Sequence, residues 1–182
     1  MRKLILIANK PMLAIGTAAM AMAGLAHADT TSQTINIRAD VPAGSSYIQP
    51  IDGWNAHTNV KFNYDVFSKK LQSPQSIGLQ MQNNQGSGKG GVISASLAEP
   101  AALSDGASAD NLPIDVTISS QSVATPVTLS TTPKEIYTNA DGGVENGSLA
   151  MKVADNAPAV KMGSHYEGTV DLVFDFQPAA QP

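Results

Sequence analysis

Past residue 28 one pattern dominates the chain. Apolar side chains fall on every second position, in short runs that stop at Gly, Pro, Asn, Asp or Ser. Val60, Phe62, Tyr64 and Val66 alternate with Lys61, Asn63 and Asp65. Ile77, Leu79 and Met81 alternate with Gly78 and Gln80. Ile93, Ala95 and Leu97 alternate with Ser94 and Ser96, and Ile114, Val116 and Ile118 with Asp115 and Thr117. Val127 and Leu129 flank Thr128; Leu149, Met151 and Val153 flank Ala150 and Lys152. The longest run sets Tyr166, Gly168, Val170, Leu172, Phe174 and Phe176 on one face, with Glu167, Thr169, Asp171, Val173 and Asp175 on the other. Strand side chains alternate between faces with period 2, so each run has one apolar and one polar face. Short strands of this kind bury their apolar faces by packing two sheets together, which predicts an all-β antiparallel sandwich.

The breaks between runs carry turn chemistry. Residues 82–91 (QNNQGSGKGG) are polar and Gly-rich, and 105–111 are small and polar. Residues 138–148 contain Asp141-Gly142-Gly143 and Asn146-Gly147, both read as turns. Residues 98–104 have some helical propensity, which Pro100 limits to about one turn. The closing residues 177–182 form a Pro/Ala tail expected to fray. No internal repeat and no second domain are discernible.

The N-terminus reads differently. Arg2 and Lys3 precede apolar runs at 4–8 and 12–25, and Ala26-His27-Ala28 follows. A basic start, an apolar stretch and a small-x-small triplet make an export signal, with cleavage after Ala28 leaving Asp29 first. Beyond it, even positions from Thr30 to Asp40 are polar, while Ile35, Ile37, Ala39 and Val41 are apolar. This is an amphipathic strand with no neighbouring strand in sequence to pair with. It is expected to serve another subunit's sheet.

Processing at Ala28 would leave 154 residues, enough for one domain with a proper core. No other segment is long and apolar enough to span a bilayer as a helix, so the product is expected to be exported and soluble. The leader holds three of the 11 basic residues and no acid, so the remainder carries 8 basic against 15 acidic groups, about −7. That balance argues against nucleic acid or an anionic membrane as the main partner. There is no cysteine, which excludes disulfides, thiolate metal sites and cysteine nucleophiles.

No catalytic constellation emerges. Gly86-Ser87-Gly88-Lys89-Gly90-Gly91 departs from the phosphate-binding loop, because Gly follows the lysine and a strand follows the loop. His57 and His165 have no metal-spaced partner. No serine occupies a Gly-x-Ser-x-Gly elbow. Asp171 and Asp175 read as solvated strand charges, and Asp141-Gly142-Gly143 lacks the acidic spacing of a calcium loop. Asn146-Gly147-Ser148 fits a glycosylation sequon and equally a plain turn. Neither cofactor nor metal is expected. Tyr47 and Trp54, in a stretch of low strand propensity, are candidates for receptor or partner contact.

Three stretches carry a resemblance to a known family. Residues 34–42 (TINIRADVP), 126–136 (PVTLSTTPKEI) and 166–174 (YEGTVDLVF) stand in order across nearly the whole chain. They resemble the N-terminal strand, a Leu-Ser-Thr-Thr-x-Lys-Glu segment and the closing strand of major pilins of class 5 (alpha-type) chaperone–usher fimbriae, the colonisation-factor-antigen and cable-pilin group. The missing cysteines fit that group too. The resemblance implies an incomplete immunoglobulin-like sandwich whose last strand is supplied by a neighbour. It implies a signal peptide at 1–28, a donor strand at 29–41 with Ile35, Ile37, Ala39 and Val41 facing the neighbour, and a pilin domain at 42–182. The implied partners are further copies head to tail, a periplasmic chaperone, an outer-membrane usher and a tip adhesin. The implied function is non-enzymatic: a fimbrial subunit at the cell surface, used in adhesion. The competing expectation is a secreted carbohydrate- or receptor-binding sandwich presenting Tyr47 and Trp54. A secreted β-sandwich enzyme is the third class, and it lacks a catalytic set.

Overall fold

The computed structural model describes residues 46–55, 58–85, 90–106 and 111–178. The cleavage site (Ala26, Ala28, Asp29), the proposed donor residues (Ile35, Ile37, Ala39, Val41), His57, most of the Gly-rich loop and the last four residues lie outside that set.

Eleven strands follow in order: β1 (Tyr47–Pro50), β2 (Asn63–Asp65), β3 (Lys70–Gln72), β4 (Ile77–Gln82), β5 (Gly91–Leu97), β6 (Ala102–Leu103), β7 (Leu112–Ser120), β8 (Val127–Thr128), β9 (Lys134–Asn139), β10 (Glu145–Val153) and β11 (Leu172–Pro178). Among the described residues there is no helix. The larger sheet runs β1-β4-β10-β7-β6, with β8 also on β7. The smaller runs β11-β5-β9, and β2 with β3 makes a separate hairpin. Every strand pairing is antiparallel. The two sheets share one core, in which Met81, Ile93, Ala95, Leu112 and Val116 are fully buried. The chain is an all-β antiparallel sandwich of immunoglobulin-like character.

The alternation places the core. In β4, Ile77, Leu79 and Met81 are buried while Gly78, Gln80 and Gln82 are half-buried. In β7, Leu112, Ile114, Val116 and Ile118 point inward. Each such aliphatic stabilises the sandwich by about 1.5–3 kcal/mol relative to exposure. Burial on the last run alternates as its pattern requires, from Tyr166 through Val170 and Leu172.

Four expectations need correction. The run at 60–66 forms only the three-residue β2, and Val66 is exposed. Asp65 ends it: its carboxylate accepts from the Phe67 amide at 2.9 Å and the Ser68 hydroxyl at 2.7 Å, which closes a turn. The last run is not one long strand. Glu167 forms only an isolated bridge with Ser104, and β11 begins at Leu172. Residues 98–104 make no helical turn. The Ile114 amide takes the Ala101 carbonyl at 2.9 Å and draws β6 onto β7.

Asn146-Gly147 is the fourth. It is not a turn but part of β10, with Gly147 opposite Leu79 on one side and Ser120 on the other. A Cβ there would lie 2.3 Å from the Ser119 carbonyl oxygen and 2.6 Å from Met81 Cε. Glycine is present because two neighbours approach closely, not because the chain reverses.

Candidate functional site

The two flanks of the sandwich differ. On one, β9 lies against β7 and β8, and the Leu97 amide donates to the Ser130 carbonyl at 2.8 Å. On that flank the two sheets touch, although β9 itself pairs only with β5 among the described residues. On the other, β1 pairs only with β4 and β11 only with β5 among the described residues. Each presents an edge of backbone amides and carbonyls to whatever lies beside it. Along β11, Leu172 is buried, but Phe174 and Phe176 are only half-buried although they point toward the core. Val173 on the outer face is 50% exposed.

One end of this open flank is tied by a buried amide. Asn83, fully buried just after β4, receives the Ser46 hydroxyl at 2.8 Å and the Gln85 amide at 3.0 Å on its Oδ1. Its Nδ2 donates to the carbonyls of Val92 in β5 (2.7 Å) and Gln177 in β11 (2.8 Å). All four hydrogen-bonding positions of the amide are thereby used. Ser46 in turn accepts from the Asn84 amide at 2.9 Å. The residue where the described chain begins is thus joined through one side chain to the last strand. Gly91 makes room: a Cβ there would sit 2.4 Å from both Asn83 Nδ2 and the Gln177 oxygen.

Beside the node lies buried Tyr137, whose hydroxyl donates to the Gly143 carbonyl at 2.6 Å. Burial pushes its phenol above the usual range, and the Glu145 carboxylate adds to this. Glu145 is itself buried in β10 and accepts from the Ser122 amide at 3.0 Å and from Asn139 Nδ2 at 3.3 Å. These groups form a polar seal at one end of the hydrophobic interior. Sequence reasoning did not single out Asn83, because an Asn inside QNNQG looks the same whether solvated or buried.

The candidate contact aromatics bracket β1. Tyr47 opens it, half-buried, and its hydroxyl donates to Gln80 Oε1 at 3.1 Å. Trp54 lies past the far end, packed against the core, with a buried indole N–H that has no partner among the described residues. It lines a cleft of about 390 Å³ together with Asp52, Asn59 and Lys61. His165 is exposed, its Nε2 2.8 Å from Glu167 Oε1. Asp141 sits in a turn held by the Asn139 side chain, which accepts from its amide at 2.9 Å. Asp175 shares the outer face of β11 with Val173, and Asp171 immediately precedes the strand. Among the described residues no group of three or more His, Asp or Glu is placed to hold a metal ion.

The family model described as "CS1 type fimbrial major subunit" matches residues 31–175, from within the N-terminal amphipathic stretch to β11. No curated protein matches the chain.

Proposed function

The chain belongs to the CS1 type fimbrial major subunit family and is a subunit of a surface fimbrium, and from that premise we propose that it polymerises by donor-strand exchange into an adhesive fibre. The acceptor site in this reading is the open flank between β1 and β11, and the donor is the stretch 29–41 of the next copy. The observation that carries it is the pair of strand edges, on β1 and β11, that have no strand partner among the described residues.

The rest follows from strand geometry. A donor antiparallel to β11, as every described pairing is, runs from the Gln177 end toward the Leu172 end. The donor's own domain then lies at the Leu172 end of the acceptor. The acceptor's N-terminal stretch departs at Ser46, which Asn83 ties to the Gln177 end. Donor and acceptor functions occupy opposite ends, so the contact is head to tail and propagates. Backbone hydrogen bonds supply affinity, and pockets for alternate side chains supply register. Ile35, Ile37 and Val41 each contribute about 1.5–3 kcal/mol when buried, and Ala39 marks a shallow pocket.

A periplasmic chaperone covers the flank before assembly, an outer-membrane usher exchanges it for the next subunit, and a tip adhesin ends the fibre. Residues 1–28 act as the export signal and 42–182 as the pilin domain. The role is structural, without catalysis or cofactor. The cleft beside Trp54, with its unpartnered indole N–H, favours a second reading as a carbohydrate-binding surface. Saturation of the Trp54 emission on titration with neutral oligosaccharides would support that reading.

Two exported chains test the proposal. One lacks 29–41; the other carries that segment after a flexible C-terminal linker. The reading expects the first to be unfolded or aggregated and the second to be a monomer that melts cooperatively at higher temperature. A truncated chain that melts cooperatively as a stable monomer would overturn it.

A further inference from the structure

The β2–β3 hairpin pairs with neither sheet. Buried Phe62 and Leu71 anchor its base in the core. At its tip Phe67 is 94% exposed and Val66 is 66% exposed. Two adjacent large apolar side chains held into water form a contiguous exposed patch, the kind of surface that marks contacts. Rigidity comes from Asp65, whose Oδ1 accepts from the Phe67 amide at 2.9 Å and whose Oδ2 accepts from the Ser68 hydroxyl at 2.7 Å. The Ser68 hydroxyl and the Phe67 amide hold the Asp65 carboxyl below its ordinary range, so the brace is charged at neutral pH. A preformed tip spends little ordering entropy on binding.

The tip is also basic. Lys61, Lys69 and Lys70 are three of the chain's 11 basic residues, within ten positions of a chain whose net charge is −4. Lys69 and Lys70 are exposed and make no ion pair among the described residues. A surface of complementary make-up exists on the same molecule. On the outer face of β11, exposed Val173 lies between exposed Asp175, whose Oδ2 accepts from Gln177 Nε2 at 2.6 Å, and half-exposed Asp171 just before the strand.

We propose that Val66 and Phe67, with Lys69 and Lys70, dock on the outer face of β11 of another copy in the fibre, against Asp171, Val173 and Asp175. The apolar pair covers Val173 while the lysines meet the two carboxylates. The contact is heterologous, so it repeats along the fibre without saturating. Each contact is small, but many in register stiffen and wind the polymer. The inference rests on the chain being a fibre subunit and is independent of the strand-exchange reading, because it uses the outward side of β11 rather than its edge.

The test uses fibres assembled in cells from the full chain with its export and assembly machinery. Three variants are compared with wild type: Lys69→Glu/Lys70→Glu, Asp171→Lys/Asp175→Lys, and all four changes together. Detergent-resistant multimers report the subunit joints, and electron microscopy reports fibre diameter and axial rise per subunit. The expected result is an unchanged multimer ladder in every variant. Each one-sided variant gives a thinner fibre with a longer axial rise, and the fourfold swap restores wild-type geometry. Phe67→Ser gives the thin form without rescue. Wild-type geometry from both one-sided variants overturns the proposal, as does failure of the swap to restore it. Loss of the ladder overturns it too, by assigning the hairpin to folding or to strand exchange. Normal fibres that lose host-cell binding overturn it in favour of a receptor contact.

Discussion

The side chain of Asn83, itself fully buried, donates a hydrogen bond to the main chain of Gln177, 94 residues away, at 2.8 Å. The same nitrogen reaches Val92 at 2.7 Å, so one amide bridges two strands of the smaller sheet from the end of a strand in the larger. The end of the interior nearest Ser46 is therefore fixed by polar bonds rather than by apolar fill.

Asn83→Leu tests that node. It leaves the buried Ser46 hydroxyl and the part-buried carbonyls of Val92 and Gln177 without their partner, at a cost of about 1–3 kcal/mol. Thermal denaturation should show a midpoint lower by roughly 3–10 °C for a domain of this size. Asn83→Asp should be worse at pH 7 than at pH 4, because a buried carboxylate facing two carbonyls loses both donors and gains repulsion. Equal midpoints for wild type and Asn83→Leu would show that the node carries no net stability.

Gly147→Ala tests the close approach within the larger sheet. The added carbon would collide with the Ser119 oxygen at 2.3 Å, so β7 and β10 must separate locally. The expected loss is about 1–3 kcal/mol, read from urea denaturation at unchanged slope.

Tyr137 gives a pH signature. Its folded pKa is raised, so the neutral phenol stabilises the fold fully below the unfolded value near 10, and that contribution is lost as pH rises through the folded pKa. Once ionised, the oxygen cannot donate to Gly143 and faces the Glu145 carboxylate. Stability measured between pH 9 and 12 should fall more steeply in wild type than in Tyr137→Phe. Tyr137→Phe should cost about 1 kcal/mol at pH 7. Parallel alkaline profiles would place the linkage elsewhere.

The strand-exchange proposal makes its own demand on the N-terminal stretch. Ile37→Asp should abolish polymer while leaving a chaperone-bound monomer, because a carboxylate cannot enter an apolar pocket unpaired. Ala39→Trp should impair assembly more than Ala39→Val, through size alone. Detergent-resistant multimers from the Ile37→Asp chain, or equal assembly by the two Ala39 variants, would reassign the donor face.

Much of the sandwich was legible because period 2 survives wherever a strand is buried on one face, as in β4, β5, β7 and β10. The pattern failed where pairing is irregular. In β9 the neighbours Ile136 and Tyr137 are both buried, because the register with β5 shifts between Ile93 and Ser94 and inserts one residue. No alternation remains to be seen there. β1 and β3 are three or four residues long and exist through their partners, so local sequence does not announce them. An incomplete sandwich was an expectation carried by the family resemblance, whereas the polar seal at Asn83 left no mark in composition or spacing.

Two short strands divide the outer border of β7 between them, β6 at Leu112 and Pro113 and β8 at Thr117 and Ile118. A border already occupied in two-residue lengths, with a gap between, offers no run on which a foreign strand could find its register. A subunit receptive on both sides would knit into sheets or clumps. In the strand-exchange proposal, the broken border of β7 leaves growth to the β1 and β11 edges, and the polymer lengthens as a thread.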